Sequence, residues 1–238
     1  MYHTVILTSS RQIGKLAHTL MRADAYDPSF PHEHLGSLVC NLWIGPTSNA
    51  KQNDLDYGSN AWPITLIHQI LTRCTRLRAL AVIGIGQARW YRLTGVIPES
   101  VVSLCLGPVH GEVDYRHMPC APSLRRLTSL DTFMLDTEIR DLVLAPTLRT
   151  IRRIYSVGDR VSLALDQLEC VERATSLERL EIVCYAESRE KAALLLDGAA
   201  EGREYDRSRV VLIPKSCIRD GRSDAIATLF EEWLDMDL

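Results

Sequence analysis

The apolar positions of the chain fall into a short recurring pattern. It is clearest in Ala174-Thr175-Ser176-Leu177-Glu178-Arg179-Leu180-Glu181-Ile182, where a small residue is followed by aliphatics three, six and eight positions on. With the second aliphatic as anchor, the pattern recurs at Leu42, Leu80, Leu104, Leu127, Ile151 and Leu180. The residue six before each anchor is small or proline: Gly36, Cys74, Pro98, Ala121, Ala145 and Ala174. Successive anchors are 38, 24, 23, 24 and 29 residues apart. Leu-x-x-Leu-x-Ile at a period in the twenties is the signature of leucine-rich repeats. Each such unit lays down one short strand and returns by a helix or irregular crossover, and only a stack of units buries the apolar face. Two units are degenerate, with Ser129 and Arg153 in the third aliphatic slot.

Other elements follow from local signals. Residues 2–8 read as a first strand. Ser9-x-x-Gln12 is a capping box, and behind it Ile13, Leu16, Ala17, Leu20 and Met21 form one helical stripe. A second helix has Pro63 in its first turn and Ile64, Ile67, Ile70 and Leu71 inward. Helices are expected over residues 163–173 and from about 189 to 198, and a last strand over 210–213. Residues 45–60 and 107–119 are polar and aperiodic, the kind of long loop that often carries function. In the closing segment Ile226, Leu229, Phe230, Trp233 and Leu234 make one stripe, with Glu231, Glu232 and Asp235 outside. This segment is expected to cap the end of the stack, as solenoids require.

The expected fold is therefore an α/β leucine-rich-repeat solenoid: a horseshoe of about eight short parallel strands in sequence order, with one sheet on the concave side and right-handed crossovers. The whole chain, 1–238, reads as one domain: a strand-helix unit over 1–35, repeats over 36–213 and a capping helix over 222–238. The alternative is a doubly wound α/β domain, whose strand order would reverse at a switch point.

Three stretches carry a family resemblance: Leu38-Val39-Cys40-Asn41-Leu42-Trp43-Ile44-Gly45; Ile70-Leu71-x-x-Cys74-x-x-Leu77-x-x-Leu80; and the Ala-Pro-x-Leu units Ala121 to Leu124 and Ala145 to Leu148. In these the chain resembles the F-box-associated leucine-rich repeat proteins abundant in mushroom-forming fungi. The resemblance covers most of the chain and implies the solenoid fold. It also implies the substrate-reading part of a ubiquitin-ligase adaptor. Residues 1–35 show no Leu-Pro-x-Glu opening and no three-helix pattern, so the expectation is the repeat part without its F-box.

Charge and composition narrow the function classes. With 27 Lys and Arg against 30 Asp and Glu, the net charge is −3, which argues against the basic footprint of a nucleic-acid binder. No apolar run approaches the roughly 18–20 residues that span a bilayer, so no membrane association is expected. The first residues lack the basic-then-apolar build of a signal peptide. Seven cysteines without a Cys-x-x-Cys pair read as reduced, mostly buried thiols. Together these point to a cytoplasmic or nuclear protein.

Candidate chemistry is sparse. Gly84-Ile-Gly86-Gln-Ala-Arg89 follows a strand, but Arg89 replaces the third glycine of a dinucleotide loop, which leaves a turn between repeats. His32-Glu33-His34 lacks a third metal ligand. His110, Asp114, His117 and Cys120 are the most ligand-like cluster, at a spacing that fits no zinc site. Nothing marks a catalytic Ser, Cys or carboxylate pair, so no cofactor, no metal and no catalytic residue is expected.

The binding face is easier to place. Residues one before and one after each anchor point away from the anchors, onto the concave sheet: Asn41 and Trp43, Ala79 and Ala81, Ser103 and Cys105, Arg126 and Thr128, Thr150 and Arg152, Arg179 and Glu181. Trp and Arg are the residues that make binding hot spots. Asn41, Trp43, Arg126, Arg152, Arg179 and Glu181 are thus the expected binding residues of a non-catalytic protein-interaction module. Three arginines in consecutive units favour an acidic or phosphorylated protein partner. The alternative is an enzyme or small-ligand-binding protein with a pocket under the 45–60 and 107–119 loops, in which His110, Asp114 and His117 take part.

Overall fold

The computed structural model describes residues 3–25, 35–48, 54–108, 113–162, 168–218 and 220–236. Eight strands among them are β1 (Thr4–Leu7), β2 (Asn41–Ile44), β3 (Ala79–Ile83), β4 (Ser103–Gly107), β5 (Arg126–Leu130), β6 (Thr150–Tyr155), β7 (Arg179–Ala186) and β8 (Val210–Ser216). They form one sheet in sequence order, and every neighbouring pair is parallel. The order never reverses, so the doubly wound alternative is excluded.

The sequence anchors are aligned across the sheet. Val5, Leu42, Leu80, Leu104, Leu127, Ile151, Leu180 and Val210 pair in a single row from β1 to β8. A slip of one residue at any strand would move its apolar set to the other face, so the buried row holds the register. The units also share one entry geometry. Two successive amides at each strand start donate to the same carbonyl of the preceding unit: Arg78 and Ala79 to Cys40, Val102 and Ser103 to Arg78, Arg125 and Arg126 to Val102, Arg149 and Thr150 to Arg125, Glu178 and Arg179 to Arg149.

The crossovers cover the anchor face. They contain α1 (Ser10–Ala25), α2 (Ile64–Arg73), the one-turn α3 (Gln87–Trp90), α4 (Asp136–Val143), α5 (Leu168–Val171) and α6 (Arg189–Ala200). Ile13, Ala17 and Leu20 of α1, Ile67, Ile70 and Leu71 of α2, and Ile139, Leu142 and Val143 of α4 pack with the anchors in one core. The start of α1 differs slightly from a capping box. Ser9 Oγ accepts from Gln12 N at 3.4 Å, but Gln12 Oε1 accepts from Thr8 N at 2.7 Å, one residue before the position the box requires. The helical turn of α3 has no periodic signal in the sequence; Trp90, fully buried, pins it to the core.

The closing helix, α7 (Gly221–Leu234), sits differently from expectation. It does not cap the end of the sheet; it lies on the face opposite the crossovers. Ala225, Ile226, Leu229 and Trp233 form a second core with Trp43, Ala79, Ala81, Ile83, Cys105, Leu130, Ile154, Val183 and Tyr185, all on that face. The cause is the floor the strands provide. Small residues at 79, 81 and 105 leave room, and the aliphatics around them need cover. Asp220 caps the helix, accepting from Ser223 N at 2.9 Å. Gly221 lets it start against β6, since a Cβ there would lie 2.0 Å from Ser156 O. Leu234, expected in the buried stripe, is 47% exposed, and Ala225 takes its place. No helix among the described residues is long and apolar enough to cross a membrane.

Burial also governs the thiols. It pushes Cys74, Cys105 and Cys120 up to about 12 from 9.0. The native state therefore keeps these protons after the unfolded chain has lost them. Stability from this source is intact below about pH 9, and falls by up to ~1.4 kcal/mol per pH unit per thiol between about pH 9 and pH 12. Urea midpoints compared at pH 8 and pH 10.5 should show the loss, and it should be smaller in a Cys74→Ala, Cys105→Ala, Cys120→Ala variant. An equal loss in that variant would assign alkaline sensitivity to other groups.

Candidate functional site: a charged cleft beside the closing helix

Two cross-strand rows run over the face that carries α7. The first is Asn41, Ala79, Ser103, Arg126, Thr150 and Arg179; the second is Trp43, Ala81, Cys105, Thr128, Arg152 and Glu181. The expected binding residues therefore do share one face. The helix then divides them. Trp43 is fully buried, with Phe230 and Trp233 edge-on to its ring at 5.0 and 5.4 Å between centroids. Its indole N–H donates to Gly45 O and Pro46 O. Trp43 is thus core rather than an exposed anchor for a partner, because the apolar floor recruited the chain's own helix. Asn41 stays at the first-row end of the sheet, donating through Nδ2 to Thr4 Oγ1 at 3.2 Å.

The other four expected residues line a cleft of about 430 Å³ between the starts of β4–β7 and the last turns of α7. Glu232, Trp233 and Met236 close one side of it. Arg152 Nη1 lies 2.6 Å from Glu232 Oε2, and Nη2 donates to Glu232 Oε1 at 3.2 Å. Arg152 Nε is 3.5 Å from Glu181 Oε2, and Arg179 Nε is 2.6 Å from Glu181 Oε1. Glu181 therefore sits between two arginines, and Arg152 between two glutamates. The side chains of Arg152 and Glu181 are only 20% and 15% exposed, so the central pair is shielded from solvent. Arg126 is exposed and forms no ion pair among the described residues. Glu178 serves elsewhere, paired with Arg149 at 3.0 Å. Beneath the cleft, Cys105 is a protonated thiol, held so by burial although Arg152 pulls the other way.

Asp114 and His117 are not brought to this cleft. They line a separate cavity of about 220 Å³ beside α4, with Glu138 and Asp141. His117 Nδ1 lies 2.5 Å from Asp114 Oδ1, and Arg116 pairs with Asp141. His110 and His32-Glu33-His34 lie outside the described residues. Among the described residues, no group of three His, Cys, Asp or Glu side chains is placed to hold a metal ion. In the Gly84–Arg89 stretch, residues 84–86 connect β3 to the single helical turn of α3, which the sequence did not signal, and Arg89 Nη2 donates to Asn60 Oδ1 at 2.7 Å. A further cavity of about 300 Å³ lies between Pro46, Ser48, Asp56 and Tyr57 on one side and Arg222, Ser223 and Ile226 of α7 on the other.

The sequence pattern missed the wall residues Glu232, Trp233 and Met236. Their stripe says that the helix is buried, not against what. A usable signal was present on the strands, where Trp43, Ala79, Ala81 and Cys105 make an apolar run on a face that would otherwise meet solvent. Compared with known proteins, the chain matches no family model and no curated protein.

Proposed function

We propose that the chain is a leucine-rich-repeat-like solenoid serving as a non-catalytic protein-interaction module, and that its charged cleft takes an acidic segment of a protein partner. Support for the solenoid comes from the single anchor row and the entry hydrogen bonds repeated unit after unit. The acidic partner rests on one observation: three guanidinium groups face two carboxylates in the cleft, and Arg126, which is exposed, is the one left without an ion pair among the described residues. Arg152 and Arg179 are already engaged and serve to hold the wall. An arginine fork at the edge of a groove binds carboxylates or phosphoryl groups bidentately. The pockets near the loops carry a weaker case, because Asp114, His117, Arg116 and Asp141 pair with one another. Such a module would act in the cytoplasm or nucleus, and in an F-box-type adaptor it would be the half that reads the substrate.

The test is binding of labelled acidic and phosphoserine peptides, with neutral counterparts, to the wild-type chain and to Arg126→Glu. Arg126 is exposed, so this variant should fold. Acidic peptides should bind with an affinity that falls as salt rises, and Arg126→Glu should weaken them by about tenfold or more, equivalent to ~1.4 kcal/mol. Equal binding of neutral peptides, or an unchanged affinity in the variant, would refute the reading.

A further inference from the structure

Another cavity, of about 280 Å³, lies beyond the carboxyl ends of β5 and β6, at the other end of the strands from the charged cleft. Thr132, Met134, Arg153 and Tyr155 are its buried lining, and the exposed Phe133 and Arg160 mark its solvent side. Arg153 occupies the slot that other units fill with Ile44, Val82, Leu106 or Ile182. It is only 4% exposed. Its Nη2 donates to Thr132 O at 3.2 Å, while Nε and Nη1 donate to nothing among the described residues, which leaves three N–H groups without an acceptor there. The guanidinium carbon lies 5.4 Å from the centre of the Tyr155 ring. Among the described residues no carboxylate forms an ion pair with it.

A buried cation without an ion-pair partner is costly, and packing alone would be better served by an aliphatic side chain. The Glu138 carboxylate favours the charged guanidinium from a distance but is itself engaged by the amides of Val113 and Leu135. Asp131, also on the cavity, does not answer the need. Its carboxylate accepts from Ser156 N at 2.8 Å and Ser156 Oγ at 2.5 Å, and its ion-pair partner is Arg222, with Nε at 3.4 Å. The volume is several times the roughly 30 Å³ share of one water, and Phe133, Met134 and the Tyr155 ring give it an apolar character.

We propose that this cavity binds a small monocarboxylate with an apolar body, its carboxylate on Arg153 and its chain or ring against Met134, Phe133 and Tyr155. A single negative charge fits better than a phosphate dianion. Only Arg153 and the rim residue Arg160 are cationic here, Asp131 shares the wall, and a phosphate would bring more oxygens than the buried donors satisfy. The site is independent of the charged cleft and of any partner bound there.

The experiment is a titration of wild-type protein carrying ¹³C-methyl methionine, followed at the Met134 methyl resonance, which Met134→Leu identifies. The probes are benzoate and straight-chain monocarboxylates from acetate to octanoate, with hexanamide and inorganic phosphate as controls. At least one carboxylate should give a saturable shift, with hexanamide and phosphate weaker by about tenfold or more. Arg153→Met should fold at least as stably as wild type without ligand and should lose the binding by the same factor. If Arg153→Met does not fold, the wild-type comparison of carboxylate with amide decides. No saturable shift with any of these acids at millimolar concentration would overturn the proposal. So would equal binding of hexanamide or of phosphate, or undiminished binding by folded Arg153→Met.

Discussion

Trp233→Ala is expected to lower the stability of the protein by about 3–5 kcal/mol, the range for truncating a large buried aromatic. Trp233 is 4% exposed and stands edge-on to Trp43, with Leu229 and Ile226 in the same cluster. Removing it opens a hole beneath α7 and strips cover from Trp43. Because Trp43, Trp62, Trp90 and Trp233 are all at most 4% exposed, the wild-type fluorescence should be blue-shifted. The variant's emission should move to the red as Trp43 meets water. Trp233→Phe should be much milder, since the indole N–H donates to nothing among the described residues and phenylalanine keeps most of the contact surface. Urea denaturation of the three proteins checks this, and an unchanged midpoint for Trp233→Ala would mean that α7 is not docked on the sheet.

Gly45→Ala should be comparably damaging for a backbone reason. Gly45 follows β2 with φ at +131°, and a Cβ there would lie 2.0 Å from Ile83 O. Strain and clash together should cost roughly 3–4 kcal/mol. Gly58 supplies the control: its φ is +80°, but nothing lies within 4 Å of an added Cβ. Gly58→Ala should therefore cost only about 1 kcal/mol, the left-handed penalty alone. Similar losses at both positions would show that the close approach of β2 and β3 at Gly45 is not as described.

The sheet was legible because a parallel stack repeats one local solution. Leu42, Leu80, Leu104, Leu127, Ile151 and Leu180 recur in sequence and align in space, since each strand entry uses the same pair of hydrogen bonds. The place of α7 was not legible. Its stripe fits an end cap as well as a lid, and the choice is made by residues far away on β2–β4 and β7. Trp43 was placed on the correct face but given the wrong environment for that reason. Arg126, Arg152 and Arg179 share a face as expected, yet their carboxylate partners are Glu181 and Glu232, and Glu232 comes from a helix some 80 positions beyond Arg152. Arg153 was visible as a misfit in its repeat. That it is buried without an ion pair among the described residues appears only when the neighbouring crossovers are in place.

The most direct test of the acidic-segment reading is a complementary charge swap. Each acidic residue of a binding peptide is replaced in turn by lysine, and affinities are measured against wild type and Arg126→Glu. One peptide position should lose affinity for wild type and regain it with Arg126→Glu, because the new lysine meets the new glutamate across the cleft. If every lysine peptide binds both proteins alike, Arg126 does not contact the segment, and the cleft is not where this protein holds its partner.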